Sequence, residues 1–174
     1  MQTNGIVRRM DELGRVVIPK ELRRTMRIRE GEELQVYATE DSLILKKFSA
    51  VSEMIDFQQE YASSIYRTTG FTTFITDNDK VIAMSGDLGK CAPGTPVDEL
   101  LEDSMLARKV SAYYGIDIKP FFDGNTTGVN GQVVAPIVSN GDVMGAVVLY
   151  LKKEPNELAV KTAETCAYFI AGRL

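Results

Sequence analysis

The chain has 174 residues, is 44% hydrophobic and 25% charged, and carries a formal net charge of -4. That length suits one domain or two small ones, and that composition excludes wholesale disorder. It holds no histidine and two well-separated cysteines, Cys91 and Cys166, so His-based catalysis, the commonest metal chemistry and a disulfide framework are set aside. We therefore expect no enzyme, no cofactor and no metal site. No apolar run reaches the roughly 20 residues of a membrane span, and the N-terminus lacks a signal-peptide core, so a cytoplasmic protein is expected.

Charge divides the chain. Residues 1–50 carry ten Lys+Arg against eight Asp+Glu, whereas residues 51–174 carry ten against sixteen. Eight of the cations lie in residues 1–29, beside three acids. This pattern suits a module for a polyanion joined to an acidic domain.

In chain order, "GIVRRM" and "RVVI" read as short strands around the turn "DELG", with Gly14 supplying a permissive backbone. Pro19 fits the first position of a helix, and "PKELRRTMR" predicts about two and a half turns. "EELQVYA" and "SLILKKF" read as a second pair of strands. The resulting strand–strand–helix–strand–strand unit is too small for a comfortable core. It is expected to be an intertwined homodimer, burying Ile6, Val16, Ile18, Leu22, Leu34, Val36, Ile44 and Leu45 only when two chains combine. The domains are expected at 1–50, for DNA binding, and 51–174, for sensing and oligomerisation.

The second part opens with a helix over 52–69, with Ser52 as its N-cap and polar Gln58 amid a helical apolar stripe. "FTTFIT" and "KVIAMSG" form a hairpin around "DND". "TPVDELLEDSMLARKV" reads as a helix capped by Thr95, with Pro96 in its first turn. "YYGIDIKPFFDGNTTGVNG" reads as a long polar loop with aromatics. "QVVAPIVS" and "VMGAVVLYLKK" flank an Asn-Gly turn, a strong hairpin signal. An amphipathic helix closes the chain. Together these predict a small antiparallel sheet with packed helices, an α+β domain.

Lys20, Arg23, Arg24 and Arg27 recur at i, i+3, i+4, i+7, which places four cations on one helical face. Like charges at those spacings repel, and a merely solvated helix mixes signs. Arg8, Arg9 and Arg15 add charge from the adjoining turn. Arginine's planar fork suits phosphates and the guanine edge, so double-stranded DNA is the expected partner.

The segment "GIVRRMDELGRVVIPKELRRTMRIREGEELQVYATEDSLILKKF" resembles the N-terminal domain of AbrB-type transition-state regulators. The resemblance implies a swapped-hairpin β-barrel of interlocked chains, with DNA-contacting arginines at Arg8, Arg15, Arg23 and Arg24. Lys20, Arg27 and Arg9 are further candidates from the charge pattern. With "IVSNGDVMGAVVLYL" and a long last helix, the whole chain resembles sporulation regulators that join such a head to a GAF-like domain. That implies a transcription factor activating and repressing sporulation genes, with the GAF-like part joining dimers into a tetramer. An antitoxin-like swapped-hairpin protein is the alternative. In the GAF-like part, Tyr113, Tyr114, Phe121 and Phe122 either rim a pocket for an unidentified small molecule or cover the sheet as core. Asp117, Asp123 and Asn125 are weaker ligand or cation candidates. Cys166 reads as a buried small hydrophobe and Cys91 as an exposed thiol.

Overall fold

In the computed structural model the chain is described over residues 5–89, 91–122 and 126–174. It divides into two compact units, 1–48 and 49–174.

The first unit holds one helix, α1 (Lys20–Thr25), and one hairpin, β1 (Leu34–Ala38) with β2 (Leu43–Lys47). Val36 pairs with Leu45 and Tyr37 with Ile44 in the antiparallel ladder. The turn expected at 11–14 is present. Asp11 donates its N–H to the Arg15 carbonyl at 3.0 Å, Gly14 donates to the Asp11 carbonyl at 3.0 Å, and Gly14 has φ +74°. The expected strands on either side of it are not formed within the single chain. A two-stranded ribbon is marginal by itself, and its β-branched flanks need further strands to pair and pack against.

α1 is shorter than the pattern predicts. Pro19 is its N-cap, with ψ 147° and its carbonyl accepting the Arg23 N–H, rather than its first helical residue. The helix stops because Arg27 turns left-handed, with φ +51°. Ile28 N–H then bonds the Arg23 carbonyl at 2.7 Å and Arg27 N–H bonds the Arg24 carbonyl at 3.2 Å. That is a Schellman cap, satisfying two last-turn carbonyls that would otherwise be orphaned.

The second unit is a five-stranded antiparallel sheet in the order β4-β3-β7-β6-β5. Its strands are β3 (Thr72–Thr76), β4 (Val81–Ser85), β5 (Ser111–Tyr114), β6 (Gly131–Ser139) and β7 (Asp142–Leu151). The sheet is covered on both faces, and the period of two in a strand sorts its residues. Val133, Ala135, Ile137, Val147, Leu149 and Leu151 face one core, while Val134, Ala146, Val148 and Tyr150 face the other. The Asn-Gly turn joins β6 to β7, with Asn140 at φ +51° and Gly141 at φ +88°, as a type I′ turn requires.

Helices α2 (Ile55–Thr69) and α4 (Glu157–Ala171) cover the first face. α4 presents Ala159, Ala163, Cys166 and Ala167, small residues at helical spacing that permit close approach to β6 and β7, together with the larger Ile170. Burial pushes the Cys166 thiol far up from its ordinary pKa, which keeps it protonated and unreactive. Asn156 caps α4 by accepting the Ala159 N–H at 3.0 Å. Helix α3 (Glu99–Leu106) and the loops around Leu88 and Phe121 cover the second face. α3 is capped by Asp98, which accepts the Leu100 N–H at 2.9 Å. Thr95 and Pro96 lie outside the helix, since Pro96 is engaged in a bridge to Lys80.

The segment entering the second unit is anchored to it. Residues Ser52–Met54 form a 3-10 turn before α2, and Ser52 does not cap the helix. Val51 is fully buried, and the wholly buried Gln58 donates to its carbonyl at 2.7 Å. Ser52 donates its hydroxyl to Asp77 at 3.2 Å. Asp77 also accepts the N–H groups of Asp79 and Lys80, each at 2.8 Å. Asp77→Ala removes the acceptor shared by those part-buried donors, so thermal unfolding should show a loss of about 1 kcal/mol. An unchanged melting curve would refute this role.

Candidate nucleic-acid interface

α1 buries none of its residues. Lys20, Arg23 and Arg24 are exposed and lie within three- and four-residue spacing on the helix. The expected four-cation face is thus a three-cation face. Arg27 falls in the left-handed cap, and its carbonyl accepts from Lys47 Nζ at 3.2 Å. Lys47 also pairs with Glu32 at 2.8 Å, tying the end of α1 to β2.

Arg8, Arg9 and Arg15 are exposed around the first turn. Arg15 is fixed by Asp11, whose Oδ2 accepts from Nε at 2.7 Å while Oδ1 accepts the Arg15 N–H at 2.7 Å. Those bonds, the main-chain one first, hold the Asp11 carboxyl below its ordinary pKa. A depressed carboxylate pKa contributes stability above the usual carboxylate range and loses it as pH falls through the folded value.

The apolar residues of this unit are left uncovered by its own chain. Ile6 is 45% exposed, Val16 51%, Leu22 40%, Val36 60%, Ile44 42% and Leu45 41%, while Ile18 and Leu34 are half-buried. An isolated soluble unit rarely leaves so much of its apolar set in water.

In the second unit the aromatic candidates separate. Phe121 and Phe122 are 0% and 1% exposed and belong to the core of the α3-covered face. Phe122 lies 4.8 Å from the Phe74 ring and 6.0 Å from Tyr150. They cover the sheet rather than rim an opening. Tyr113 is half-buried, stacks edge-on to Phe121 and shares a hydrogen bond of 2.9 Å with Ser104 of α3. Tyr114 is exposed. Asp117 lies in a 3-10 turn, and Asp123 and Asn125 lie outside the described residues. Among the described residues no cluster of His, Cys, Asp and Glu could hold a metal ion. No described helix is long and apolar enough to cross a membrane.

The sequence reading missed a polar row on that same face. Tyr113, Gln132, Tyr150 and Thr72 are successive cross-strand partners on β5, β6, β7 and β3. Their only sequence signal is a polar residue recurring in apolar runs, as in "GQVV" and "VVLYL".

Comparison with known proteins places both units. A family model described as stage V sporulation protein T C-terminal, transcription factor, matches residues 53–174. One described as antidote-toxin recognition MazE, bacterial antitoxin, matches residues 7–50. Stage V sporulation protein T of Bacillus subtilis (strain 168) is 42% identical over 176 residues, spanning 100% of this chain and 99% of that protein. Transition state regulatory protein AbrB of the same organism is 56% identical over 48 residues, 28% of this chain and 50% of that protein. A GAF domain region from Geobacter sulfurreducens PCA matches with a TM-score of 0.56 at 14% identity, over 69% of this chain and 91% of that one. This last likeness shows the fold of the second unit. The full-length likeness favours the regulator over the antitoxin reading: the chain belongs to the stage V sporulation protein T family of transcription factors, with an AbrB-type head and a GAF-like domain.

Proposed function

We propose that two copies of the first unit interlock into a swapped-hairpin dimer, and that Arg8, Arg15, Arg23 and Arg24 of each copy grip double-stranded DNA. Lys20, Arg27 and Arg9 add phosphate contacts at the margin. The observation that carries this reading is the pairing of an uncovered apolar set with an uncovered, net-positive helix in one small unit. A second chain buries the former and doubles the latter. Phosphate contacts set the grip, and base edges and DNA shape select the site. The GAF-like domain joins dimers into a tetramer and responds to a small molecule. The protein acts in the cytoplasm, where its DNA lies, and catalyses no reaction.

Salt dependence of duplex binding tests the grip. Four arginines per chain in a dimer neutralise about eight phosphates, so the log–log slope should be on the order of -5 to -7. A slope near zero removes the reading. Leu45→Asp tests the dimer, because Leu45 is exposed within its own chain and the change costs that chain little. The sedimenting mass should halve and duplex affinity should fall about 100-fold. Unchanged mass and affinity would refute the interlocked head.

A further inference from the structure

The two edges of the five-stranded sheet differ. On β4 the chain closes its own outward main chain. Gln59 of α2 donates to the Met84 carbonyl at 2.8 Å and accepts the Met84 N–H at 3.3 Å. Val81 donates to the Thr95 carbonyl at 2.8 Å and accepts the Gly94 N–H at 2.7 Å. An edge covered in this way cannot pair with another chain. β5, the other edge, has no such cover. In an antiparallel ladder, alternate residues turn their N–H and C=O toward the neighbouring strand. Gly115 donates to the Asn130 carbonyl at 3.4 Å, continuing the ladder of β5 with β6. Ser111 and Tyr113 therefore face β6, and Ala112 and Tyr114 turn their main-chain groups outward. Those groups have no hydrogen-bond partner on the open side among the described residues. Ala112 and Tyr114 are both exposed, and Ile116, just beyond them, is wholly so.

We propose that β5 is an adhesive edge, where a second copy of this chain adds its own β5 across a two-fold axis when DNA holds neighbouring molecules side by side. The occupant follows from the residues of the edge. An antiparallel partner must set its own outward residues against Ala112 and Tyr114. Placing Ala112 opposite the partner's Tyr114 pairs every open N–H and C=O of both residues on both copies. The small side chain then lies against the large one, and Val110 lies against the partner's Ile116. The same register sets the exposed Lys109 opposite the partner's Asp117, which is exposed as well. Sliding by one two-residue step would set Lys109 against the partner's Gly115, losing the ion pair, or against the partner's Lys119, a like charge. Two-fold symmetry repeats each contact. Size sets the strength. Stable interfaces bury about 1,200–2,000 Å² in all, and a strand of four residues supplies far less. Free molecules therefore do not associate through β5. Molecules on one duplex meet at an effective concentration on the order of millimolar, where so small a contact counts. β5 thus makes the occupancy of neighbouring sites cooperative. This rests on the reading of the first unit as DNA-binding.

Two random-sequence duplexes are the probes for the full-length protein, a short one that holds a single assembly and a long one that holds several. Beyond the statistical gain from its extra sites, wild type should bind the long duplex about tenfold more tightly, with a steeper curve. Ala112→Pro should bind the short duplex as wild type does and lose that gain. The N–H it removes faces outward, where an edge strand tolerates proline, so its circular dichroism should be unchanged. Lys109→Glu should lose most of the gain, because like charges then meet across the axis. Lys109→Glu combined with Asp117→Lys should restore it, a rescue that a damaged fold would not give. Binding to the short duplex with no gain on the long one overturns the β5 contact and leaves the DNA-binding reading in place. No binding to either duplex overturns both. A gain that survives Ala112→Pro, or a charge swap that fails to restore it, overturns the second copy as the occupant of β5.

Discussion

Replacing Arg23 and Arg24 together with alanine should reduce duplex affinity by at least about 100-fold and leave the fold intact. The two halves of that expectation have separate physical grounds. Each arginine at a phosphate or base edge is worth about 1–3 kcal/mol, and a dimer loses four of them. The salt slope should become shallower by up to about four, one for each phosphate contact removed. Stability is spared because α1 buries none of its residues, so no core packing is lost. Alanine is also the strongest helix former, and removing like charges near Lys20 relieves repulsion of a few tenths of a kcal/mol. Gel shift with circular dichroism checks both halves. Retained binding would refute the role of the pair, and lost helicity would make the binding loss uninterpretable through these contacts. Arg27→Ala should cost less, since the left-handed cap turns Arg27 off the line of Arg23 and Arg24.

The arginines were legible because charge is counted directly from sequence, whereas their arrangement was not. A left-handed arginine carries no sequence signature, so the end of α1 looked two residues later than it is. The flanks of the first turn read as strands from β-branched residues alone, but pairing is a property of neighbours that one chain does not supply. In the GAF-like part, the Asn-Gly turn and the alternation of β6 and β7 fixed both strands and the faces they present. Strand β5 was hidden because "SAYY" runs straight into Gly115 and a polar stretch. Phe121 and Phe122 stayed open between rim and core for the same reason: their sequence neighbours are polar, while their spatial neighbours are Phe74, Tyr113 and Tyr150. Gln58 shows the converse, a polar residue drawn into the core by the carbonyl of Val51.

Gly145→Ala should abolish cooperative unfolding of the GAF-like domain, whereas Gly141→Ala, four residues away, should lower its Tm by only a few degrees. Both glycines have positive φ, +155° and +88°, so both variants carry a backbone penalty of about 1–2 kcal/mol. The difference is space. A Cβ at Gly141 meets nothing within 4 Å, but at Gly145 it falls 1.9 Å from the Thr76 carbonyl oxygen and 2.9 Å from the Asp77 Cα. Those are main-chain atoms and cannot swing aside. Thr76 pairs with Ala146, where β3 meets β7 near the middle of the sheet, beside the bulge between Ile75 and Thr76. Thr76 Oγ1 also accepts the Ala146 N–H, and Asn78 donates to the Val143 carbonyl at 2.9 Å. Relieving the clash means moving β3 off β7, which breaks that ladder, opens both cores and pulls on Asp77, the residue that holds Ser52. A loss above about 4 kcal/mol belongs to such disruptions of core and ladder together. Calorimetry of the two variants decides the matter. A Gly145→Ala melt as sharp and as high as that of Gly141→Ala would mean that β3 and β7 do not approach this closely at Thr76.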